Sequence, residues 1–294
     1  METVVTHSGS FDPDDVLAVA ALQLYRGKDN LNIIRSRDSD IIKKADWVID
    51  VGGLYDPKNR RFDHHQNGVP KRDNGVPYSA FGLLWKECGE TICGSKEVAD
   101  KIENKLILAI DAADNHIVVC QSSLPEVQPV EFFDVIDAFK PVWGTGETFD
   151  SEFLKAVDFA RNFLKRVIEH TKADLDMHKM IAETYNAAKE KSLLVFDDPI
   201  HRHALVDYEG VRVVVSPVHS SDVGGWMAAV VPVSRRGFQN RATFSAAWAG
   251  LVDEELEKVC HIDGAIFCHK ERFVFVAKTK EAAIKAAREA LLQP

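Results

Sequence analysis

The sequence predicts an α/β fold with a mostly parallel sheet in its first part, a helical connector, and a smaller α+β lobe at its end. Three observations lead to this prediction. Short apolar runs alternate with segments of helical periodicity in the first part, the stretch from about 150 to 191 is helical, and β-rich runs dominate afterwards. Strands that alternate with helices are typical of a parallel sheet.

The first part contains three predicted strands and three predicted helices. β-branched or apolar runs bounded by polar or glycine residues predict strands at 3–6, 31–34 and 47–51. Pro13 and acidic residues in a first turn predict a helix at 14–25. Ser79 is expected to cap a helix containing Phe81, Leu84 and Trp85, and apolar spacing predicts another helix at 96–113.

The remainder of the chain is predicted to change from helical to mixed structure. The tract at about 150–191 could be a connecting helix pair, and it is followed by strands at 193–196, 204–208, 211–216, 226–233 and 273–277. An amphipathic helix at 280–292 closes the chain. We therefore expect a first domain at 1–190, which includes the connecting helices, and a smaller lobe at 191–294, with a ligand site in the cleft.

Composition and charge limit the classes of function. The 294 residues are 46% hydrophobic and 28% charged, with a net charge of −9, which is typical of an ordinary soluble protein. A protein that coats nucleic acid is not expected, because it would carry a basic surface. A nuclease is not excluded, since bound metal ions invert the field of acidic ligands.

Cysteine usage and the ends of the chain predict a cytoplasmic protein. The five cysteines are an odd number without Cys-x-x-Cys spacing, which disfavours both a disulfide framework and a thiolate zinc site. The N-terminus has no signal-peptide pattern, and no apolar run approaches the roughly 20 residues that cross a bilayer. We expect no membrane association, and an oligomer is possible.

A histidine and two aspartates follow the first predicted strand. His7, Asp12 and Asp14 lie at the junction with the first helix, which is where open α/β sheets bind ligands. Gly9 and Pro13 permit the turns that would direct these side chains inward. The alternative is that Asp12 and Asp14 only cap the helix and that His7 is a surface residue.

Two further segments place acids and histidines at predicted strand ends. Asp50 ends an apolar strand before paired glycines, where the alternative is a turn-forming aspartate. Asp63, His64 and His65 are consecutive, and neighbouring side chains on an extended segment point in opposite directions. One of the histidines could therefore bind a metal while the other faces a substrate phosphate. The alternative is an exposed polar turn.

Asp111 completes the set of candidate metal ligands. It interrupts an apolar helix, where a carboxylate is costly unless it is paired or bound to a metal, whereas Asp114 at the helix end is more ordinary. A mixed set of imidazoles and carboxylates of this size could hold two divalent ions. The donor types favour Mn²⁺, with Mg²⁺ as the second candidate.

The order of these motifs resembles that of the DHH phosphoesterase superfamily. Its Myg1-type branch (the melanocyte proliferating gene family) is the more similar part. The resemblance rests on segments in both lobes: Thr6-His-Ser-Gly-Ser-Phe11, Asp50-Val-Gly-Gly-Leu-Tyr-Asp-Pro57, Arg61-Phe-Asp-His-His-Gln66, Tyr78-Ser-Ala-Phe-Gly-Leu-Leu-Trp85, Trp248-Ala-Gly-Leu251, Glu254-Glu-Leu256 and Gly264-Ala-Ile-Phe-Cys-His269 through Phe273.

The resemblance implies a DHH catalytic domain and metal-dependent 3′-to-5′ exonuclease activity, mainly on RNA. It implies that two ions are held by His7, Asp12, Asp14, Asp50, His64 and Asp111, with Asp50 shared between them. His65 would contact the phosphate and Asp63 would orient its neighbours. Many members of the branch have histidine at the position of Asp12, so metal preference could differ here.

The predicted function is removal of nucleoside monophosphates from the 3′ ends of RNA or short oligonucleotides. In the second lobe, Arg241, His269 and Lys270 are candidates for gripping a nucleotide phosphate, with a solvated surface patch as the alternative for Lys270. Two other functions stay open. One is hydrolysis of pyrophosphate, a cyclic dinucleotide or a bisphosphorylated nucleotide, and the other is nucleotide binding without catalysis.

Overall fold

A five-stranded sheet organises the first part of the chain. The structure is a computed structural model that describes residues 1–124, 126–218, 224–235, 237 and 239–293. The strand order is β2-β1-β3-β5-β4, and every neighbouring pair is parallel except β4 with β5. The strands are β1 (Glu2–Thr6), β2 (Leu31–Arg35), β3 (Trp47–Ile49), β4 (Tyr55–Asp56) and β5 (Arg61–Phe62). The prediction of an α/β fold with a mostly parallel sheet is therefore confirmed.

Helices pack around this sheet and bury its apolar residues. Their bounds are α1 (Pro13–Arg26), α2 (Ser39–Lys44), α3 (Ala80–Cys93), α4 (Lys96–Ile102), α5 (Leu108–Asp114) and α6 (Phe132–Asp137). Val5, Leu17, Ile49 and Phe62 are all at most 1% exposed, which places the core between the sheet and its helices. Burial of this kind stabilises by about 25 cal/mol per Å² of apolar surface.

A π-helical turn at Glu103–Ile107 joins α4 to α5. Such a turn inserts one extra residue, so the side chains beyond it rotate relative to a regular helix. The buried positions show this shift, because Ile102 is followed on the buried face by Ile107 instead of Leu106. The helix predicted at 96–113 therefore exists as α4 and α5. The side chains of α5 point in a different direction from those of a regular continuation of α4.

The long helix α7 (Phe149–Ala187) is one continuous helix of 39 residues instead of a pair. The chain divides into two compact units, Met1–Ala173 and Asp174–Pro294, so this division falls inside α7. The boundary expected from the sequence, near residue 190, lies just beyond the end of that helix.

The second unit contains its own five-stranded sheet in the order β6-β7-β8-β10-β9. Only β6 and β7 are parallel among these strands. The elements after α7 are β6 (Leu193–Val195), β7 (Val213–Pro217), β8 (Trp226–Val230), α8 (Asp253–Cys260), β9 (Ala265–Cys268), β10 (Val274–Ala277) and α9 (Lys280–Leu292). The strand predicted at 204–208 was wrong, because a 3₁₀ turn at Arg202–Leu205 occupies that region.

Among the residues that the structure describes, no helix has the length and apolar character needed to cross a membrane.

Candidate metal centre

Three adjacent parallel strands end at the same edge of the first sheet. His7 follows β1, Asp50 follows β3 and Asp63 follows β5, and these strands are neighbours in the order β1-β3-β5. Parallel strands place their carboxyl ends together, which is the usual position of ligand sites in such sheets. The fold thus gathers side chains that are up to 56 residues apart in the sequence, from His7 to Asp63.

The first turn of α1 supplies two more carboxylates to this edge. Asp14 and Asp15 are both 0% exposed. Asp15 Oδ2 lies 3.2 Å from Nε2 of His7. Asp12 is the N-cap of α1, and its Oδ1 accepts a hydrogen bond from the backbone N–H of Asp14 at 3.2 Å. Burial and the charge of the nearby Asp50 raise the pKa of Asp12.

Asp50 lies between the histidines of the cluster. Its Oδ2 is 3.3 Å from Nε2 of His7, while its Oδ1 is 3.4 Å from Nε2 of His64 and 3.4 Å from Nδ1 of His65. Its backbone φ is +53°, a left-handed conformation that costs an aspartate about 1 kcal/mol or more. Its backbone N–H donates to the carbonyl of Phe62, and this bond helps to hold the unfavourable conformation.

His64 connects Asp50 to the helical part of the cluster. Its Nε2 is 3.3 Å from Oδ2 of Asp114 and 3.8 Å from Oδ2 of Asp14. Among the described residues, two groups could each hold a metal ion, because the ligand atoms inside each group lie within 4.8 Å of one another. One group is Asp50, His64 and His65, and the other is Asp14, His64 and Asp114. The two groups share His64, so they form one continuous cluster.

Burial and mutual proximity shift the pKa values of the acids. Burial, together with the charge of Asp50, raises the pKa of Asp14 well above its usual range. Burial also raises the pKa of Asp15 strongly, and it raises that of Asp114 to about 7. Burial alone would also raise the pKa of Asp50, but hydrogen bonds from His64 and His7 lower this pKa overall.

The histidines respond in the opposite sense to burial. Burial alone lowers the pKa of His7 and of His64, but the adjacent carboxylates outweigh it and raise both values overall. The site therefore gathers several carboxylates in a buried environment, where a proton or a positively charged neighbour stabilises them.

These residues fit a divalent cation. Apart from their contacts with the ring nitrogens of His7, His64 and His65, three buried oxygens have no hydrogen-bond partner in the described part of the chain: Oδ2 of Asp15, Oδ1 of Asp50 and Oδ2 of Asp114. Unpaired buried carboxylate oxygens are unfavourable unless a cation neutralises them. Carboxylate oxygens and imidazole nitrogens are both common ligands of divalent metal ions in proteins.

Asp63 organises the Asp-His-His segment from beneath. It is 1% exposed, and its Oδ1 accepts hydrogen bonds from the backbone N–H groups of His64 at 2.7 Å and His65 at 3.1 Å. Its Oδ2 accepts from the N–H of Gly53 at 2.5 Å. Because a carboxylate only accepts, its contact with Nδ1 of His65 at 2.7 Å places the ring proton on Nδ1.

The predicted ligand Asp111 does not join the cluster. It is fully buried, but its Oδ2 lies 2.6 Å from a terminal nitrogen of Arg72, and its Oδ1 lies 2.6 Å from the hydroxyl oxygen of Ser79. Asp114, one helical turn later, occupies the position facing His64. Asp12 caps α1, and its role as a metal ligand stays a prediction, since its charge also acts on Asp14 and Asp114. His7, Asp14, Asp50 and His64 are brought together as expected.

The predicted phosphate contacts of the second unit occupy three different environments. The guanidinium of Arg241 donates to the backbone carbonyls of Val206, Tyr208 and Val211, so it braces the fold instead of facing a ligand. Nδ1 of His269 accepts from the N–H of Glu271 at 3.0 Å. Lys270 is exposed, in keeping with the surface alternative.

Sequence reasoning missed Asp15 and Asp114. Asp15 carried no separate signal, because an acid in the first turn of a helix is ordinary. Asp114 did carry one, since it lies in the last turn of α5, where a negative charge opposes the helix dipole. An acid in an electrostatically unfavourable position indicates a partner elsewhere in the fold.

The fold and the site together define a class: a two-unit α/β protein with a buried histidine–carboxylate cluster at the carboxyl edge of a parallel sheet. The family model described as MYG1_exonuc, Uncharacterised protein family (UPF0160), matches residues 3–291. The chain belongs to this family, and the resemblance to the Myg1-type branch is confirmed.

Curated relatives match nearly the whole chain. The MYG1 protein of Chlamydia pneumoniae is 30% identical, covering 97% of this chain and 95% of that protein. The MYG1 exonuclease of Homo sapiens is 27% identical, covering 98% of this chain and 85% of that protein. A solved structure, the pGpG-specific phosphodiesterase PggH from Vibrio cholrae, covers 94% of each chain at 12% identity, but its TM-score of 0.34 is too low to support any inference.

Proposed function

We propose that this protein is a divalent-metal-dependent phosphodiesterase that removes nucleoside monophosphates from the 3′ ends of RNA or short oligonucleotides. Relatives named exonucleases support the general part, a hydrolase that acts on phosphodiester bonds. The observation that carries the metal dependence is the position of Asp50, whose two oxygens face His7 on one side and His64 with His65 on the other.

The residues that would hold the ions form two overlapping sets. His7, Asp15 and Asp50 would serve one ion, and Asp14, His64, Asp114 and Asp50 would serve the other, with Asp50 shared. Bound ions of this kind lower the pKa of water and stabilise negative charge that develops on phosphate oxygens. Mn²⁺ is the proposed metal, and Mg²⁺ is the second candidate.

His65 is the proposed phosphate contact. Its side chain is 64% exposed, in contrast to the 12% of His64. With Nδ1–H donating to Asp63, the orientation of the ring is fixed. Nε2 can donate a hydrogen bond to a phosphate oxygen when the ring carries its second proton, so the proposed contact is made by the imidazolium form. Asp63 would act through this ring and through the backbone of the loop, without contacting substrate itself.

A 5′-labelled RNA oligonucleotide tests the proposal directly. Purified protein loaded with Mn²⁺ is expected to produce a ladder of products that shorten from the 3′ end, together with nucleoside monophosphates. His64→Ala is expected to abolish the ladder while retaining the fold, whereas His170→Ala, at an exposed position on α7, is the matched control. Intact RNA after incubation with the metal-loaded wild-type protein would refute the proposal.

One observation favours a second candidate function. The net charge of −9 suits a small phosphorylated substrate better than a long polyanion. Hydrolysis of pyrophosphate, a cyclic dinucleotide or a bisphosphorylated nucleotide would use the same cluster. Release of phosphate or of a linear dinucleotide from these compounds, combined with inactivity on RNA, would favour this candidate.

A further inference from the structure

A buried chain of polar contacts runs behind the cluster from Arg72 to Asp14. Arg72 has a side chain only 10% exposed, and it pairs with the fully buried Asp111 at 2.6 Å. The hydroxyl oxygen of Ser79 lies 2.6 Å from Oδ1 of Asp111 and 2.5 Å from Oδ1 of Asp14. Asp14 in turn faces His64 through its other oxygen.

We propose that the Arg72–Asp111 ion pair is a positioning device for Asp14, and that it sets the affinity of the cluster for its metal ion through Ser79. The inference rests on the proposed metal-dependent function. A serine hydroxyl has one proton, so it can donate to only one of two carboxylates at a time. Arg72 is the charged partner of Asp111. The hydroxyl of Ser79 can therefore donate its one hydrogen bond to Asp14.

Ser79 serves this purpose instead of capping its helix. It occupies the N-cap position of α3, yet its hydroxyl makes no capping hydrogen bond. Asp14 takes over that role, because its oxygens accept from the backbone N–H groups of Ala80 at 3.1 Å and Phe81 at 2.6 Å. The start of α3 and the hydroxyl together fix the carboxylate that faces His64.

Arg72 itself is held rigidly in place. Its guanidinium carbon lies 3.8 Å from the ring centre of Tyr78, and its Nε donates to Glu103 at 2.7 Å. Stacking on an aromatic face combined with a charged partner fixes the plane of the guanidinium fork. Glu103 lies in the π-helical turn before α5. The irregular turn therefore carries one of the residues that hold Arg72 beside Asp111.

Gly82 provides the space that Asp111 needs. A Cβ atom at this position would lie 1.9 Å from Oδ2 and 2.7 Å from Oδ1 of Asp111. Any side chain here would therefore displace the carboxylate from Ser79 and Arg72. Glycine in a helix interior costs about 1 kcal/mol relative to alanine, and the close approach of Asp111 accounts for its presence.

Calorimetric titration of the metal-free full-length chain with Mn²⁺, in the absence of RNA, tests the proposal. Arg72→Gln is expected to weaken Mn²⁺ binding by about 10- to 100-fold, the usual effect of losing a group that orients a ligand. Arg72→Lys should fall between this variant and the wild type, because it keeps the charge but loses the fork. Arg166→Gln, which breaks an exposed ion pair with Glu169, is the matched control.

A rescue experiment separates positioning from a general structural role. Without Arg72, the charged Asp111 competes with Asp14 for the Ser79 proton, so adding Asp111→Asn to Arg72→Gln should restore Mn²⁺ affinity to within a few-fold of wild type. A double variant that binds as weakly as Arg72→Gln, or a folded Arg72→Gln that binds as tightly as wild type, would overturn the proposal.

Three further outcomes keep the test decisive. If Arg72→Gln does not fold, Ser79→Ala removes the hydroxyl without leaving a buried charge unpaired, and it should weaken binding by about tenfold; unchanged affinity would refute the proposal. Wild-type protein that binds Mn²⁺ but does not degrade RNA contradicts the exonuclease function and leaves this inference intact. Wild-type protein that binds no Mn²⁺ overturns both.

Discussion

Nδ1 of His65 lies 2.7 Å from Oδ1 of Asp63, so a buried carboxylate fixes the exposed imidazole at the edge of the cluster. The same carboxylate accepts hydrogen bonds from the backbone N–H groups of His64, His65 and Gly53. Asp63 therefore orients both the His65 ring, which would contact the substrate, and the loop that carries His64.

Asp63→Asn is expected to lower kcat on RNA by about 10- to 100-fold, with a smaller effect on Mn²⁺ affinity. The amide has one acceptor oxygen in place of two, so it cannot satisfy all the N–H groups that now point at Asp63. Single-turnover kinetics at saturating Mn²⁺ measure the effect. In the His65→Ala background the same change should cost less, and an equal loss in both backgrounds would contradict action through His65.

Asp114→Asn is expected to reduce the amount of Mn²⁺ retained, because it removes the carboxylate 3.3 Å from His64. Elemental analysis after gel filtration gives the metal content per chain. Asp176→Asn, at an exposed position on α7, is the matched control and should retain the wild-type amount. Full metal content in Asp114→Asn would remove this residue from the proposed ligand set.

The metal-free protein is expected to lose stability as pH rises from about 5.5 to about 8. Burial raises the pKa values of Asp14, Asp15 and Asp114, so over this range the folded state holds more protons than the unfolded state. His7 and His64 also have raised pKa values, and the stability that they contribute at acid pH is lost as pH rises through those values.

Urea denaturation in EDTA at the two pH values measures this loss, which should be on the order of 2 kcal/mol. The pKa of Asp50 is lowered, so its contribution changes only in more acidic solution and does not reverse the trend. Saturating Mn²⁺ should remove most of the dependence, because the ion takes the place of the protons. Greater stability at about pH 8 than at about pH 5.5 without metal would contradict the arrangement of charges described above.

Arg241→Ala is expected to destabilise the protein by about 3 kcal/mol and to leave the KM for RNA nearly unchanged in protein that remains folded. The substitution removes donors to three backbone carbonyls, which would stay partly buried without a partner. Urea denaturation and KM are measured on the same preparations. Lys270→Ala, at an exposed position, should leave stability unchanged; a raised KM in a fully stable Arg241→Ala variant would restore the phosphate-gripping role.

Much of the fold and part of the site followed from local pattern. The strands at β1 and β3 and the helices α1 and α9 were expected within a residue or two, because their periodicity and end signals agree with their final environment. The strand predicted at 204–208 was wrong because the apolar residues of this segment pack in a 3₁₀ turn. Ala204 and Leu205 are buried there without joining a sheet.

The sequence by itself determined which chemistry the first unit can support. His7, Asp50 and the Asp63-His64-His65 segment each follow a strand, and parallel strands leave these positions at one edge whatever the details of packing. Only the tertiary structure shows that Asp114 faces His64 while Asp111 pairs with Arg72, and that the guanidinium of Arg241 donates to backbone carbonyls. A helical periodicity count does not reveal the π-helical turn that rotates α5, or the distant Arg72 that pairs with Asp111. Those choices depend on contacts between segments far apart in the chain, which local sequence does not encode.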